Sequence, residues 1–473
     1  MSNPTANLSA STTIIPSAAL LIARAAAAGL LLHFAGVCRA AKPMSGAKSD
    51  VPMTRAEECL AVHDGLGTMR SFAVLPDGRL IAATAGKFYA SRNNGLTWSE
   101  SWEPKSAAGK KITWGSPSLI VLKDGALGLL CDISPPPPKD SIAKIAALGP
   151  KPDPKVDKEA AEKWGEEFKR LNRNRDLGPE FKKHIAFWRS KDGGRTWSAP
   201  TRVSPVEPFN QQPLNNVAAR ARSGRILFPV YGFGHLYVYR SDDDGATWQR
   251  SKDYVRSIFR HQGQEKVLDE DEPCIVEVEL RRWLMLMRTD VGRLYQAWSA
   301  DDGDTWSEGS PTDLMANNSP AQVRNVPGTD HLVLVWNQAS TKEAQQGFYR
   351  ARLSTAISKD RGRTWTHFQN IESSIEGTFV APEPMNPEWT LKGLNLRNDE
   401  LPGWPKHPGR PDKEKSGRLY GSYTYPGIIF AGNHFIVGHP DLHWNKEGKV
   451  TTTGRTRVVP ISWLYGGISS PPR

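Results

Sequence analysis

Short runs of alternating apolar and polar residues recur along the chain and end in the same kind of turn. His184-Ile-Ala-Phe-Trp188-Arg and Leu236-Tyr-Val-Tyr239-Arg are two of them, and a period of two with aromatic and β-branched residues reads as a half-buried strand. An eight-residue phrase follows. It occurs five times, as Ser91-Arg-Asn93-Asn-Gly95-Leu-Thr97-Trp98, Ser190-Lys-Asp192-Gly-Gly194-Arg-Thr196-Trp197, Ser241-Asp-Asp243-Asp-Gly245-Ala-Thr247-Trp248, Ser299-Ala-Asp301-Asp-Gly303-Asp-Thr305-Trp306 and Ser358-Lys-Asp360-Arg-Gly362-Arg-Thr364-Trp365. In the pattern Ser-x-Asp-x-Gly-x-Thr-Trp, Asp accepts hydrogen bonds from its own turn's amides, Gly supplies a positive φ, and the Trp ring fills the space between adjacent sheets.

From the second copy onward the spacing is 51, 58 and 59 residues, the length of a four-stranded antiparallel sheet with its loops. Radial repetition of such sheets makes a β-propeller. The first gap, 99 residues, holds an insertion between Cys131 and His184, and removing it restores the period. Inside it, Pro135 to Pro138 read as a stiff extended piece. Asp153 to Leu171 read as a helix, with Pro154 near its start and Trp164, Phe168 and Leu171 on one face. Residues 136–180 are expected to form a lid. Five copies predict five blades. Runs at Gly427 to Phe430, His434 to Val437 and Arg457 to Trp463 supply a sixth without the phrase, and Glu58 to Val62 is expected to add its outer strand, so that the chain's two ends close the ring. The expected fold is therefore an all-β, six-bladed β-propeller over residues 66–473, with a partly helical lid insertion.

Residues 1–41 stand apart. Apolar residues dominate from Ile14 to Val37, and the run ends in Arg39-Ala-Ala41, small residues of the kind a signal peptidase needs. This predicts an export signal and a periplasmic or extracellular protein. A membrane anchor is the alternative, although Arg24 and His33 inside the run make a stable span costly and argue against insertion after processing. Residues 42–65 read as a linker with the possible ring-closing strand. Cys38 falls in the leader, leaving Cys59, Cys131 and Cys274, an odd set without metal-ligand spacing that predicts neither a disulfide framework nor a zinc site.

Composition narrows the function classes. With 38% hydrophobic and 23% charged residues, 41 Gly and 36 Pro in 473 residues, the chain is neither a coiled coil, nor collagen, nor disordered throughout. Its 61 Lys plus Arg against 50 Asp plus Glu give a net charge of +11, which favours an anionic partner. The basic residues are spread through the blades, and no helix-turn-helix, P-loop or dinucleotide fingerprint occurs, so a small acid fits better than nucleic acid.

The repeated phrase is the Asp-box. Five copies in a six-bladed arrangement resemble the sialidase (neuraminidase) superfamily, including bacterial sialidase-like proteins with Asp-box (BNR) repeats, over residues 66 to 473. The resemblance implies an exo-acting, retaining glycoside hydrolase that removes terminal sialic acid or a related nine-carbon acidic sugar from a glycan, without metal or organic cofactor. Its site implies three arginines on the substrate carboxylate, a Tyr nucleophile paired with a Glu, and an Asp as acid and base. The chemistry is coherent, since a guanidinium fork matches a carboxylate and a nearby carboxylate can take a phenol's proton.

By this resemblance, Glu272 in Glu272-Pro-Cys-Ile-Val-Glu and Arg288 in Trp283-Leu-Met-Leu-Met-Arg288 take the places of the catalytic Glu and the second arginine. Arg350, in Arg350-Ala-Arg-Leu353, matches the third arginine, with Arg352 and Arg324 as competitors. Alternation directs Arg350 and Arg352 to one face. Tyr425, in Tyr425-Pro-Gly-Ile-Ile, matches the nucleophile, with Tyr423 as the alternative. Arg70, before the Pro76-Asp-Gly78 turn, matches the first arginine. The family's acid is expected in the loop after the next strand, where this chain has Thr84-Ala-Gly-Lys87 and no carboxylate. Asp132 and Asp140, in the lid region of the following blade, are the candidates to replace it.

Topology supplies a check that owes nothing to resemblance. In a four-stranded meander the starts of strands one and three and the end of strand two share an edge, opposite the turn between strands three and four. Arg70, Glu272 and Tyr425 open first strands, Arg288 closes a second and Arg350 opens a third, so all five are expected at one face, away from the Asp-boxes. Two further functions fit the same residues: a non-catalytic glycan-binding propeller that kept the arginines and lost the acid, and a hydrolase of another acidic saccharide.

Overall fold

Ser71–Val74, Leu80–Ala83, Phe88–Ser91 and Glu100–Trp102 pair in that order into an antiparallel meander. The computed structural model describes residues 59–135, 143–144, 146–153, 156–172, 182–207, 209–232, 235–268, 270–289, 291–340, 343, 350–373, 380–387, 421–444 and 450–466. Within them the meander recurs to make a six-bladed β-propeller. Blade 2 is Ser118–Val121, Leu127–Ile133, His184–Ser190 and Thr201–Arg202; blade 3 is Ala219–Arg220, Ile226–Gly232, His235–Ser241 and Gln249–Arg250. Blade 4 is Glu270–Glu279, Arg282–Thr289, Arg293–Ser299 and Ser310–Met315; blade 5 is Gln322–Asn325, Leu332–Trp336, Arg352–Ser358 and Thr366–Ser373.

Blade 6 joins the chain's ends. Gly427–Ala431, His434–Trp444 and Val450–Pro460 pair in succession, and the N-terminal Ala61–Asp64 lies outside them, with Ala61 opposite Val458 and Asp64 opposite Arg455. The closing strand thus starts three residues later than Glu58, and Glu58 itself lies outside the described residues. The third strand begins at Val450 and stops at Pro460, where Ile461–Tyr465 turns into a 3-10 helix. Charge pairs, from buried to exposed, weld the seam. Arg457 holds Glu372 of blade 5 through both oxygens, at 2.5 and 3.0 Å. Arg455 bonds Asp64 at 2.7 Å and Asp441 at 2.8 Å.

Each Asp-box closes the turn between strands three and four. In the second copy Ser190 Oγ donates to Asp192 at 2.7 Å, Gly194 N donates to Ser190 Oγ at 2.8 Å, and Thr196 donates from N and Oγ1 at 2.9 and 2.6 Å. The copies at Asp243, Asp301 and Asp360 repeat this pattern; in the first, Asn93 Oδ1 accepts from Ser91 Oγ and the Thr97 amide while its Nδ2 donates to Thr97 Oγ1. The Gly serves two ends at once. Gly303 has φ +83°, and a Cβ there would stand 2.2 Å from Leu227 in blade 3, so the turn packs directly on the preceding blade.

The insertion leaves blade 2 after Ile133 and returns at His184, and these two residues are paired, so its ends are neighbours. Its helix spans Lys158–Asn172, shorter at the N-terminal side than the apolar pattern suggests, with Trp164 and Phe168 stacked at 4.8 Å. The Leu171 side chain, Pro136 to Pro138, Asp140 and the leader at 1–41 lie outside the described residues.

Candidate active site

Three site residues share an uncommon backbone conformation: Glu272, Arg350 and Tyr425 have φ of +47°, +55° and +48°. L-residues with side chains pay about 1 kcal/mol or more for this region, and it persists where the surroundings over-determine it. Glu272 sits in a β-bulge, where the register slips between Asp271 and Cys274. Tyr425 occupies a break in the first strand of blade 6, since Gly421–Tyr423 and Gly427–Ala431 both pair with His434–Trp444 on either side of it. Each irregularity turns one side chain inward.

They meet. Tyr425 Oη donates to Glu272 Oε1 at 2.7 Å, and Arg288 Nη1 donates to Glu272 Oε2 at 2.5 Å and lies 3.4 Å from the Tyr425 hydroxyl. Arg350 Cζ stands 5.3 Å from the centre of the Tyr425 ring. Asn318 fastens both arginines, accepting from Arg288 Nε through Oδ1 at 2.5 Å and from Arg350 Nη2 through its backbone oxygen at 2.8 Å. Thr424 Oγ1 accepts from Arg350 Nη1 at 2.6 Å, and Asn317 Oδ1 from the Arg350 amide at 2.8 Å. Tyr231 Oη reaches Glu272 Oε1 from blade 3 at 3.4 Å.

Arg70 stands just before the first strand of blade 1, anchored by its amide on Ala83 O at 2.8 Å. It is deeply set, and its buried Nε has no hydrogen-bond partner among the described residues. Burial pulls the guanidinium below its ordinary pKa while the Tyr425 oxygen draws it up. The structure therefore gathers Arg70, Glu272, Arg288 and Arg350 around the Tyr425 phenol.

The electrostatics invert a simple expectation. Three guanidinium groups alone would acidify the tyrosine. Burial and the Glu272 carboxylate outweigh Arg350 and Arg288, and the Tyr425 phenol is pushed up to about 12. At neutral pH it carries its proton, which points at Glu272.

Other candidates fall elsewhere. Arg352 does not share Arg350's surroundings, because the left-handed residue at 350 breaks the alternation; it is buried and pairs with Glu343 at 2.6 and 3.0 Å. Arg324 turns to the backbone oxygens of Val323 and Asn216. Tyr423 is core, edge-on to His439 at 5.8 Å. Asp132 is buried and projects into space that Gly115 leaves open. It accepts from Ser116 N at 2.9 Å and from Lys183 Nζ at 3.2 Å, so it is held as an acceptor. The Thr84 loop is capped by Trp114, whose Nε1 donates to Thr84 O at 3.1 Å.

Sequence reasoning missed the supporting polar residues Asn317, Asn318, Thr424 and Tyr231, together with an Asn pair, Asn215 and Asn216. Asn215 Nδ2 donates to Arg70 O at 2.7 Å and to Pro426 O at 3.2 Å. The available signal was two amides inside the otherwise apolar Leu214-Asn-Asn-Val217, since buried polar side chains are kept for their hydrogen bonds.

A six-bladed fold with Asp-boxes on one edge and a basic, tyrosine-centred cluster on the other defines a sialidase-like propeller with BNR repeats. The chain belongs to the BNR repeat-like domain family, whose model matches residues 170–442. It is similar in fold to the NanB sialidase from Streptococcus pneumoniae, at 15% identity and a TM-score of 0.50, covering 86% of this chain and 70% of that one. It is similar also to the leech intramolecular trans-sialidase solved with 2,7-anhydro-Neu5Ac, at 15% identity and a TM-score of 0.50, covering 86% and 69%. Comparison with curated protein sequences finds no match.

Proposed function

We propose that the protein is an exported exo-sialidase-like glycoside hydrolase that cleaves a terminal sialic acid, or a related nine-carbon acidic sugar, with retention. The observation that carries this reading is the 2.7 Å hydrogen bond from Tyr425 to Glu272 among arginines. Arg70, Arg288 and Arg350 bind the sugar carboxylate. Tyr425 Oη then attacks the anomeric carbon as the bond to the leaving group breaks; its proton passes to Glu272 Oε1, and the departing oxygen takes a proton from solvent. Because burial and Glu272 hold the phenol's pKa above its ordinary value and its hydroxyl already donates to Glu272, proton transfer accompanies attack rather than preceding it. Water next adds to the anomeric carbon and releases the phenoxide, which recovers its proton from Glu272, while the proton that water gives up returns to solvent and balances the one taken by the leaving group.

A second reading is a non-catalytic glycan-binding propeller. It is favoured by the Thr84 loop, which offers no carboxylate where the general acid is expected, and by Asp132, held by Lys183 and Ser116 as an acceptor. The two readings part on one substrate. An aryl sialoside has a leaving group that departs without a proton, so fluorophore release from it, lost in Tyr425→Phe, supports the enzyme. Binding of the sugar without release supports the lectin.

A further inference from the structure

Leu214 to Val217 connects the outer strand of blade 2 to the first strand of blade 3, and its two asparagines are nearly inaccessible. Their bonds reach four other blades. Asn216 N donates to Pro117 O of blade 2 at 2.9 Å, its Oδ1 accepts from Ser71 Oγ of blade 1 at 3.2 Å, and its Nδ2 donates to Ile428 O of blade 6 at 2.8 Å. Gln322 Nε2 of blade 5 donates to Asn215 O at 2.9 Å, and Arg324 donates to Asn216 O. A segment that touches blades 1, 2, 5 and 6 from blade 3 lies at the hub of the ring. Asn216 holds φ +60° there, a conformation Asn tolerates better than most residues.

We infer that Asn215 is a positioning residue of the candidate site, setting the Arg70 guanidinium against the Tyr425 phenol; this rests on the roles proposed for those two side chains. Its single NH2 donates to the carbonyls of Arg70 and Pro426, at 2.7 and 3.2 Å. These carbonyls belong to the backbones that carry the first arginine and, one residue on, the tyrosine. Two carbonyl dipoles brought together repel, and an amide with two hydrogens is the group that satisfies both. Gly427 permits the approach from the other side, because a Cβ there would stand 2.5 Å from Arg70 O. The spacing between a carboxylate ligand in blade 1 and a nucleophile in blade 6 is thus fixed by a residue of blade 3 that touches neither reacting group. Sub-ångström misplacement of such groups is costly, since proximity contributes much of the rate and affinity of a site.

The test uses Asn215→Asp, which keeps the side chain's shape and replaces the donor with an acceptor, and calorimetric binding of 2-deoxy-2,3-didehydro-N-acetylneuraminic acid. If Asn215 acts through Arg70, the substitution weakens binding by about tenfold in the parent protein and by less than about twofold in an Arg70→Ala background, because coupled residues are not additive. An equal loss in both backgrounds overturns the inference, since a general loosening of the fold makes no distinction between them. Gly427→Ala presses on the same two backbones and repeats the comparison should Asn215→Asp not fold. If the parent protein does not bind the probe, the functional reading fails, and ligand-free crystal structures still decide the positioning. The separation of the Arg70 and Tyr425 side chains must change in either variant; an unchanged separation overturns it.

Discussion

Arg288 grips the Glu272 carboxylate at 2.5 Å while its Nε is held by Asn318 at 2.5 Å, so the guanidinium plane is set before any ligand arrives. A lysine keeps the charge and loses that plane. Arg288→Lys should weaken binding of a free acidic sugar or its dehydro analogue by about 2 kcal/mol. Calorimetry is the measurement, and unchanged affinity would put the carboxylate elsewhere.

The ring seam should be sensitive to acid. Glu372 is almost fully buried; burial alone raises its carboxyl, but His439 and Arg457 outweigh it and hold it at about 2, against an ordinary 4.5. A carboxyl lowered on folding stabilises above its unfolded pKa, and that contribution is lost as pH falls through the folded one. Between about pH 5 and pH 2 the seam should therefore lose on the order of 2–3 kcal/mol. Glu372→Gln should be less stable at pH 7, and its deficit in melting temperature relative to the parent should shrink below pH 5. A deficit independent of pH would assign the stability to packing.

The blade architecture was legible in the chain because the Asp-box is local. Its Ser, Asp, Gly and Thr bond one another within a few residues, so sequence spacing is structural spacing. The family resemblance picked out Glu272, Arg288, Arg350 and Tyr425, and their convergence was legible because strand ends meet at one edge by topology. What stayed hidden depends on partners far apart in sequence or on backbone departures from alternation. Asn215 meets Arg70 and Pro426, 145 and 211 residues away in sequence, and the left-handed turn at Arg350 separates it from Arg352 although a period of two unites them. The tyrosine's high pKa was likewise out of reach, because it reflects burial and one carboxylate, neither of which composition reveals.

We propose that the insertion acts as a lid and carries little of the blade core. Ile133 and His184 face each other across its base, so removing residues 136–180 leaves a hairpin that a short turn can close. The shortened protein should unfold cooperatively, with a melting temperature near the parent's. Loss of a cooperative calorimetric transition would make the insertion part of the fold.

The central claim is that Tyr425 is a nucleophile served by Glu272, and a mechanism-based label tests it most directly. A 3-fluorosialosyl fluoride traps a glycosyl–enzyme intermediate, because the fluoride departs without a general acid and the fluorine at C3 slows the second step. Mass spectrometry of the treated protein should find one adduct, on the peptide containing Tyr425, and none in Tyr425→Phe. A protein that binds sialic acid yet carries no adduct on any tyrosine would contradict the account.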